Sequence, residues 1–189
     1  SPHLPHNRHM ENTDNTYMRA ALEQPRPSKQ HDDAPFGATT VDNGQIIARA
    51  ENSEQREHDV TKHAETNAIA IASKILGRDL SGCTMYATFE PCTMCSGAIL
   101  YSCLSRVVHG ASREDLPHLF RVRSIRFQQL ADDYGHAPEL VTGVLRDEAV
   151  AVFDNYHHPF RVSSALRRAD PETEDDIAPA LSTPGVTVS

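Results

Sequence analysis

Two apolar spacings alternate along this chain, and their alternation predicts its elements. Residues 14–24 place Tyr17, Met18, Ala21 and Leu22 on one helical face, an amphipathic helix that Pro25 and Pro27 end. Residues 35–41 and 46–50 are short apolar runs flanking Asp42-Asn43-Gly44-Gln45, a tight-turn signal, and predict a β-hairpin. Residues 51–62 are polar and read as a loop. Helix is then expected over 64–75, strand over 83–89, helix over 92–103 and strand over 106–111. A fifth strand over 140–145 and a final helix over 146–156 complete the set. Strand and helix in alternation imply a three-layer α/β domain whose sheet is parallel at least in part.

The pattern fades at both ends. From about residue 162 the chain turns to Asp, Glu, Pro, Ser and Thr, which predicts an acidic, disordered tail over 162–189. Just before it, Tyr156, His157, His158 and Phe160 are placed to reach a pocket, so part of the tail alternatively reads as a lid. Residues 1–9 are rich in His and Pro, and His9-Met10 reads as the junction between an expression-tag remnant and a native start. That leaves residues 10–161 as the folded domain.

Candidate chemistry enters with His63-Ala64-Glu65 and, further on, Pro91-Cys92-Thr93-Met94-Cys95. One imidazole and two thiolates fill three corners of a zinc tetrahedron and leave the fourth open, as a catalytic ion requires. Zinc lowers the pKa of a coordinated water to about 7. Glu65, two residues from His63, is the acid within the motif able to shuttle that water's protons without ligating the metal. The expected helices would bring two N-termini to one spot, favouring thiolate and carboxylate through their dipoles. Cys92 and Cys95 would share a helix face, with Pro91 in its first turn. The plainer alternative is a structural zinc knuckle or unligated thiols.

Charge narrows the partners. The 189 residues carry 18 basic and 26 acidic side chains, a formal net charge of -8. This argues against a broad nucleic-acid footprint, which needs a basic face. Arg121, Arg123 and Arg126 form one small cluster, read first as a solvated face. Cys83 and Cys103 sit in apolar runs and are expected to be buried small hydrophobes rather than a disulfide. With no signal peptide or long apolar span, no membrane partner is expected and a cytoplasmic location is.

These motifs resemble the cytidine and deoxycytidylate deaminase superfamily over residues 14–156. Pro35-Phe36-Gly37-Ala38 is similar to a segment of guanine deaminases and tRNA adenosine deaminases. The run from Glu90 through Cys92 and Cys95 to Ile99 is similar to theirs and to that of fungal-type cytosine deaminases, as is Arg106-Val107-Val108-His109-Gly110-Ala111. The resemblance implies a three-layer α/β/α fold with a five-stranded mixed sheet, strands 4 and 5 parallel. It also implies a homodimer and one Zn2+ per chain held by His63, Cys92 and Cys95. By position it makes Asn52 a hydrogen-bond partner of the substrate ring, Phe36 an aromatic flanking the base, and the Ala64 backbone N–H a contact to a ring carbonyl.

Departures bear on the substrate. Where guanine deaminases carry an acidic pair, this chain has Arg113-Glu114-Asp115-Leu116-Pro117, so Glu114 or Asp115 is the candidate substitute, or simply a helix cap. Where tRNA-acting enzymes carry a basic, aromatic last helix, it has Phe153-Asp154-Asn155-Tyr156-His157-His158. Tyr156 joins the substrate-binding candidates. The expected activity is hydrolytic deamination of a free nucleobase or small nucleoside, of guanine or cytosine type, releasing ammonia. Two alternatives stand beside it: deamination of adenosine in tRNA, and a non-catalytic zinc domain that binds a partner.

Overall fold

The sheet begins at the tightest turn in the sequence. In the computed structural model, which describes residues 5–24 and 33–156, β1 (Gly37–Asp42) pairs antiparallel with β2 (Gln45–Glu51). Asn43 and Gly44 between them have φ of 47° and 76°. Positive φ at both positions gives a two-residue hairpin whose twist matches its strands, and Asn and Gly tolerate it best. β1 also pairs antiparallel with β3 (Thr84–Phe89). Beyond it the strands run parallel, β3 with β4 (Arg106–Ala111) and β4 with β5 (Glu139–Thr142). The strand order is β2-β1-β3-β4-β5, a five-stranded mixed sheet with strands 4 and 5 parallel, as the resemblance implied.

Parallel neighbours need crossovers, and helices supply them. α4 (Thr93–Tyr101) joins β3 to β4, and α5 (Phe127–Tyr134) lies between β4 and β5. α3 (Ala64–Leu76) packs on β1 and β2, α1 (Pro5–Glu23) on β1 and β3, and α6 (Arg146–Ala151) on β4. Two consecutive residues of β4 mark the two faces. Val107 packs with Ala68, Ile99 and Phe127, whereas Val108 packs with Met18 and Ala21. Alternate side chains of a strand point to opposite faces, so helices cover both sides and the three layers follow.

Several expectations are corrected. α1 begins at Pro5, nine residues before the expected start, because residues 5–13 carry almost no apolar periodicity to announce it. The polar loop before α3 contains one helical turn, α2 (Glu54–Glu57). α5 was not anticipated. The last strand stops at Thr142, where Gly143 takes φ 77°, and the last helix stops at Ala151. Cys103 is exposed, not buried, because the chain leaves α4 through it at φ 61° and turns its thiol outward, whereas Cys83 is buried as expected. The tail over 162–189, with His157, His158 and Phe160, lies outside the described residues, as do residues 1–4 of the supposed tag remnant. Among the described residues no helix is long and apolar enough to cross a membrane.

Candidate active site

The start of α3 and the start of α4 meet, and each delivers its motif there. His63 is the N-cap of α3, with extended backbone (φ -78°, ψ 159°), and Glu65 follows one residue into the helix. Cys92 is the N-cap of α4, and its sulfur accepts a hydrogen bond from the Cys95 backbone N–H at 3.5 Å. Cys92 thus sits before the helix rather than on it, and Pro91 precedes the cap instead of filling the first turn. The sulfur takes the place of the usual Ser or Asp oxygen, satisfying one of the donors every helix start leaves open.

His63 Nδ1 lies 3.6 Å from Cys92 Sγ and 3.5 Å from Cys95 Sγ, and the three atoms lie within 4.8 Å of one another. A tetrahedral zinc ion bound by sulfur at about 2.3 Å and nitrogen at about 2.0 Å has nitrogen–sulfur edges of about 3.5 Å. The donor set therefore fits the ion in both chemistry and spacing, and these three residues could hold it. The other ring nitrogen, Nε2, faces Glu54 Oε2 at 3.6 Å. An acid behind a metal-facing imidazole fixes its tautomer and its orientation.

Electrostatics within the cluster are tightly coupled. Hydrogen bonding with Cys95 and His63 holds the Cys92 thiol well below its ordinary range despite burial, while the same contact with Cys92, together with burial, pushes Cys95 up. Cys92 in turn raises His63. Glu65 is buried against the cluster, where desolvation and the negative charge of Cys92 push its carboxyl up to about 7. A carboxyl near neutrality both accepts and returns a proton at physiological pH.

The loop beside the cluster is pinned from several sides. Asn52 is buried, and its backbone N–H donates to the Phe36 carbonyl at 3.1 Å. The Asn67 amide donates to the Glu51 carbonyl (2.9 Å) and to Ser53 Oγ (3.1 Å). The Gln55 backbone N–H donates to Asp33 Oδ1 at 2.7 Å. Ala64, fully buried, opens α3. Phe36 lies among aromatic rings, 5.6 Å from Phe89, 5.8 Å from Phe120 and 5.4 Å from Phe153. Tyr156 meets Phe153 edge to face, with ring centroids 5.9 Å apart, and burial together with the charges of Glu54 and Asp33 pushes its hydroxyl up to about 12. It therefore borders the carboxylate that backs His63.

The acidic candidates after β4 stand apart from the three ligands. Glu114 is half-exposed and ion-paired with Arg126. Asp115 Oδ2 accepts from the Ser112 backbone N–H (2.8 Å) and hydroxyl (2.9 Å), and its Oδ1 takes Arg146. Nearer the cluster, buried Arg113 pairs with Glu90 at 3.1 Å, and Arg123 donates to the Thr93 hydroxyl at 2.6 Å. Arg121 and Arg123 are exposed. Sequence reasoning missed Glu54, Asp33 and the Arg113–Glu90 pair, since no local pattern ties any of them to the motif.

Comparison with known proteins agrees with this arrangement. The profile of the cytidine and deoxycytidylate deaminase zinc-binding region matches residues 11–111. The chain is 34% identical to the tRNA-specific adenosine deaminase of Bacillus subtilis (strain 168) over 156 residues, 82% of this chain and 95% of that protein. It is 33% identical to a probable cytosine deaminase of Schizosaccharomyces pombe over 143 residues, 72% of this chain and 88% of that one. Among solved structures it is similar to a guanine deaminase from Nitrosomonas europaea (TM-score 0.67, 29% identity, covering 75% of this chain and 83% of the other). It is also similar to a structure from work on A-to-I editing at the wobble position of transfer RNA (TM-score 0.64, 33% identity, covering 72% and 98%). With the ligand geometry, the sheet order and more than half of the sequence in agreement, this chain belongs to the cytidine and deoxycytidylate deaminase family, zinc-dependent hydrolases of the C–N bond in cyclic amidines.

Proposed function

We propose that this protein hydrolytically deaminates a free nucleobase or small nucleoside, exchanging an exocyclic amine for a carbonyl and releasing ammonia. His63, Cys92 and Cys95 would hold zinc, which supplies a Lewis-acidic position where a water's pKa falls to about 7. Glu65 takes the proton of the attacking water and passes protons to the ring nitrogen and the departing amine. Asn52, Phe36 and the Ala64 N–H orient the ring, and Tyr156 closes the side next to Glu54. Burial of Glu65 against the ligand cluster is the observation that carries this reading.

A small neutral substrate is favoured because the buried guanidinium near the ligands, Arg113, is already engaged by Glu90. The net charge of -8 points the same way. Adenosine in tRNA is the second reading. It is favoured by the Bacillus subtilis relative and by Arg123, which reaches Thr93 beside Cys92 from an exposed position. Glu114 or Asp115 would serve the first reading where the ring offers a further N–H edge, away from the reacting C–N bond, for an acid to match.

We further infer a homodimer in the cytoplasm. Ile71, Ile75 and Leu76 of α3 and Tyr101 of α4 are exposed apolar side chains on two helices that pack together. The free thiols of Cys83 and Cys103 suit a reducing compartment.

Ammonia release should be measured across guanine, cytosine, isocytosine, cytidine, adenosine and a tRNA anticodon stem-loop. Release from a base or nucleoside is expected, and release from the stem-loop alone would overturn the ranking. Glu65→Ala should keep its zinc by elemental analysis and lose at least about 10³-fold in turnover. Retained turnover would assign the proton transfers to another acid.

A further inference from the structure

We propose that Arg113 is a positioning residue for the metal site: through Glu90 it fixes the chain that enters Cys92, and so the direction from which the first thiolate meets the ion. The inference rests on the three zinc ligands and on no choice of substrate.

β3 ends at Phe89, and only Glu90 and Pro91 lie between it and Cys92. Glu90 is gripped at both its backbone and its side chain by the residues that close β4. Its backbone N–H donates to the Ala111 carbonyl at 2.9 Å. Its Oε2 accepts from the Arg113 backbone N–H at 3.1 Å, and its Oε1 lies 3.1 Å from Arg113 Nε. Pro91 then restricts φ, which leaves the link few ways to turn. On its far side Cys92 is held by α4, because the Ser96 N–H donates to its carbonyl at 2.7 Å. Before it there is no helical ladder, since Cys92 is a cap with extended backbone (φ -71°, ψ 172°). The course of the chain on that side is therefore set by Glu90 and Pro91.

Arg113 is itself anchored. The turn that carries it is closed by Asp115, which accepts from Ser112 and pairs with Arg146 of α6. Its guanidinium carbon lies 5.7 Å from the centre of the Phe89 ring, the residue that ends β3. Its charge is attracted by Cys92 and Glu65 as well as by Glu90, which puts the brace at the site in space and not only in sequence.

Burial separates directing a ligand from fastening a fold. The Arg113 and Glu90 side chains are only 9% and 13% exposed. For a buried pair the cost of desolvation offsets most of the attraction, so an apolar pair of similar volume is often as stable. What the apolar pair lacks is the fixed direction of charge-assisted contacts.

The test uses the full-length protein. Zinc affinity is read by competition with a chromogenic chelator, and ligand geometry by the visible absorption of the Co2+-loaded form. Glu90→Leu combined with Arg113→Met leaves no lone buried charge. This double variant should melt within a few degrees of wild type, bind zinc about 10- to 100-fold more weakly and show displaced cobalt bands. Arg113→Lys keeps the cation and should retain the wild-type spectrum, whereas Arg113→Gln should follow the double variant. Wild-type affinity and spectrum in the double variant would overturn the proposal and leave Cys92 to its helix cap. Zinc affinity that falls only in step with the stability of the metal-free protein would overturn it too, making the pair a fastener of the fold. Should the double variant not fold, the two single variants decide. Matching spectra for Arg113→Lys and Arg113→Gln, both native or both displaced, would sink the idea. No heterocycle enters these measurements, so a failed ammonia screen leaves the brace standing, and an unmoved spectrum leaves the proposed activity standing.

Discussion

Glu54 backs the metal-facing imidazole, with its Oε2 3.6 Å from His63 Nε2. Removing such a carboxylate leaves the ligand in place but frees its ring to rotate and change tautomer. Glu54→Gln should therefore weaken zinc binding by about 10- to 100-fold, read by competition with a chromogenic chelator. An unchanged affinity would assign the imidazole's orientation to α3 alone. The residues of the metal cluster were legible because each lies within three positions of another in the chain: His63 with Glu65, Cys92 with Cys95. Glu54 was not, because a Glu in a polar stretch looks the same whether it faces water or an imidazole. Cys103 misled for a related reason, since an apolar neighbourhood in sequence does not say which way a left-handed residue after a helix turns its side chain.

One buried ion pair holds three elements together. Asp14 of α1 receives two hydrogen bonds from Arg106 of β4, at 2.7 and 2.8 Å, and one from the Tyr86 hydroxyl of β3 at 2.8 Å. Burial alone would raise the Asp14 carboxyl, but these hydrogen bonds and the Arg106 charge hold it below the usual range. Its stabilising contribution is full above the unfolded pKa of about 3.9 and is lost as pH falls through the folded value. Asp14→Asn should cost about 1.5–3 kcal/mol at neutral pH and flatten the acid limb of stability, measured by urea titration from pH 7 to pH 3. A parallel acid limb in the variant would shift the linkage to another carboxylate. A tighter constraint lies at Gly110, where a Cβ would come within 2.6 Å of Ala149 Cβ and 2.9 Å of the Thr88 carbonyl. Gly110→Ala should destabilise by about 1–3 kcal/mol through overpacking of α6 on β4. Wild-type stability in that variant would mean that α6 is free to move outward. At this scale the hairpin was legible because its turn residues fix it locally. α5 has a local signal too, with Phe127, Leu130, Ala131 and Tyr134 at helical spacing and Gly135 at φ 77° closing the end.

The order of strands could not be read from periodicity, because a strand's partner is set by contacts far along the chain. The resemblance supplied the five strands and the parallel pairing of the last two, not their order. Nor could periodicity show which apolar side chains α3 and α4 leave exposed. Ile71→Asp with Ile75→Asp should give a monomer by sedimentation velocity while the zinc content stays at one per chain. A dimer that persists would place the contact elsewhere. A different consequence follows from how far apart the ligands lie. His63 is 29 positions from Cys92 and 32 from Cys95, and the intervening chain runs through α3 and β3. An ion held by both ends is a removable cross-link across that stretch, and its worth is paid out in the entropy of the opened loop. Chelation should accordingly loosen residues 63–92 first, with amide hydrogen exchange accelerating there before the β1–β2 ribbon responds. If exchange rose evenly over the whole sheet, the ion would be a guest in a fold already complete.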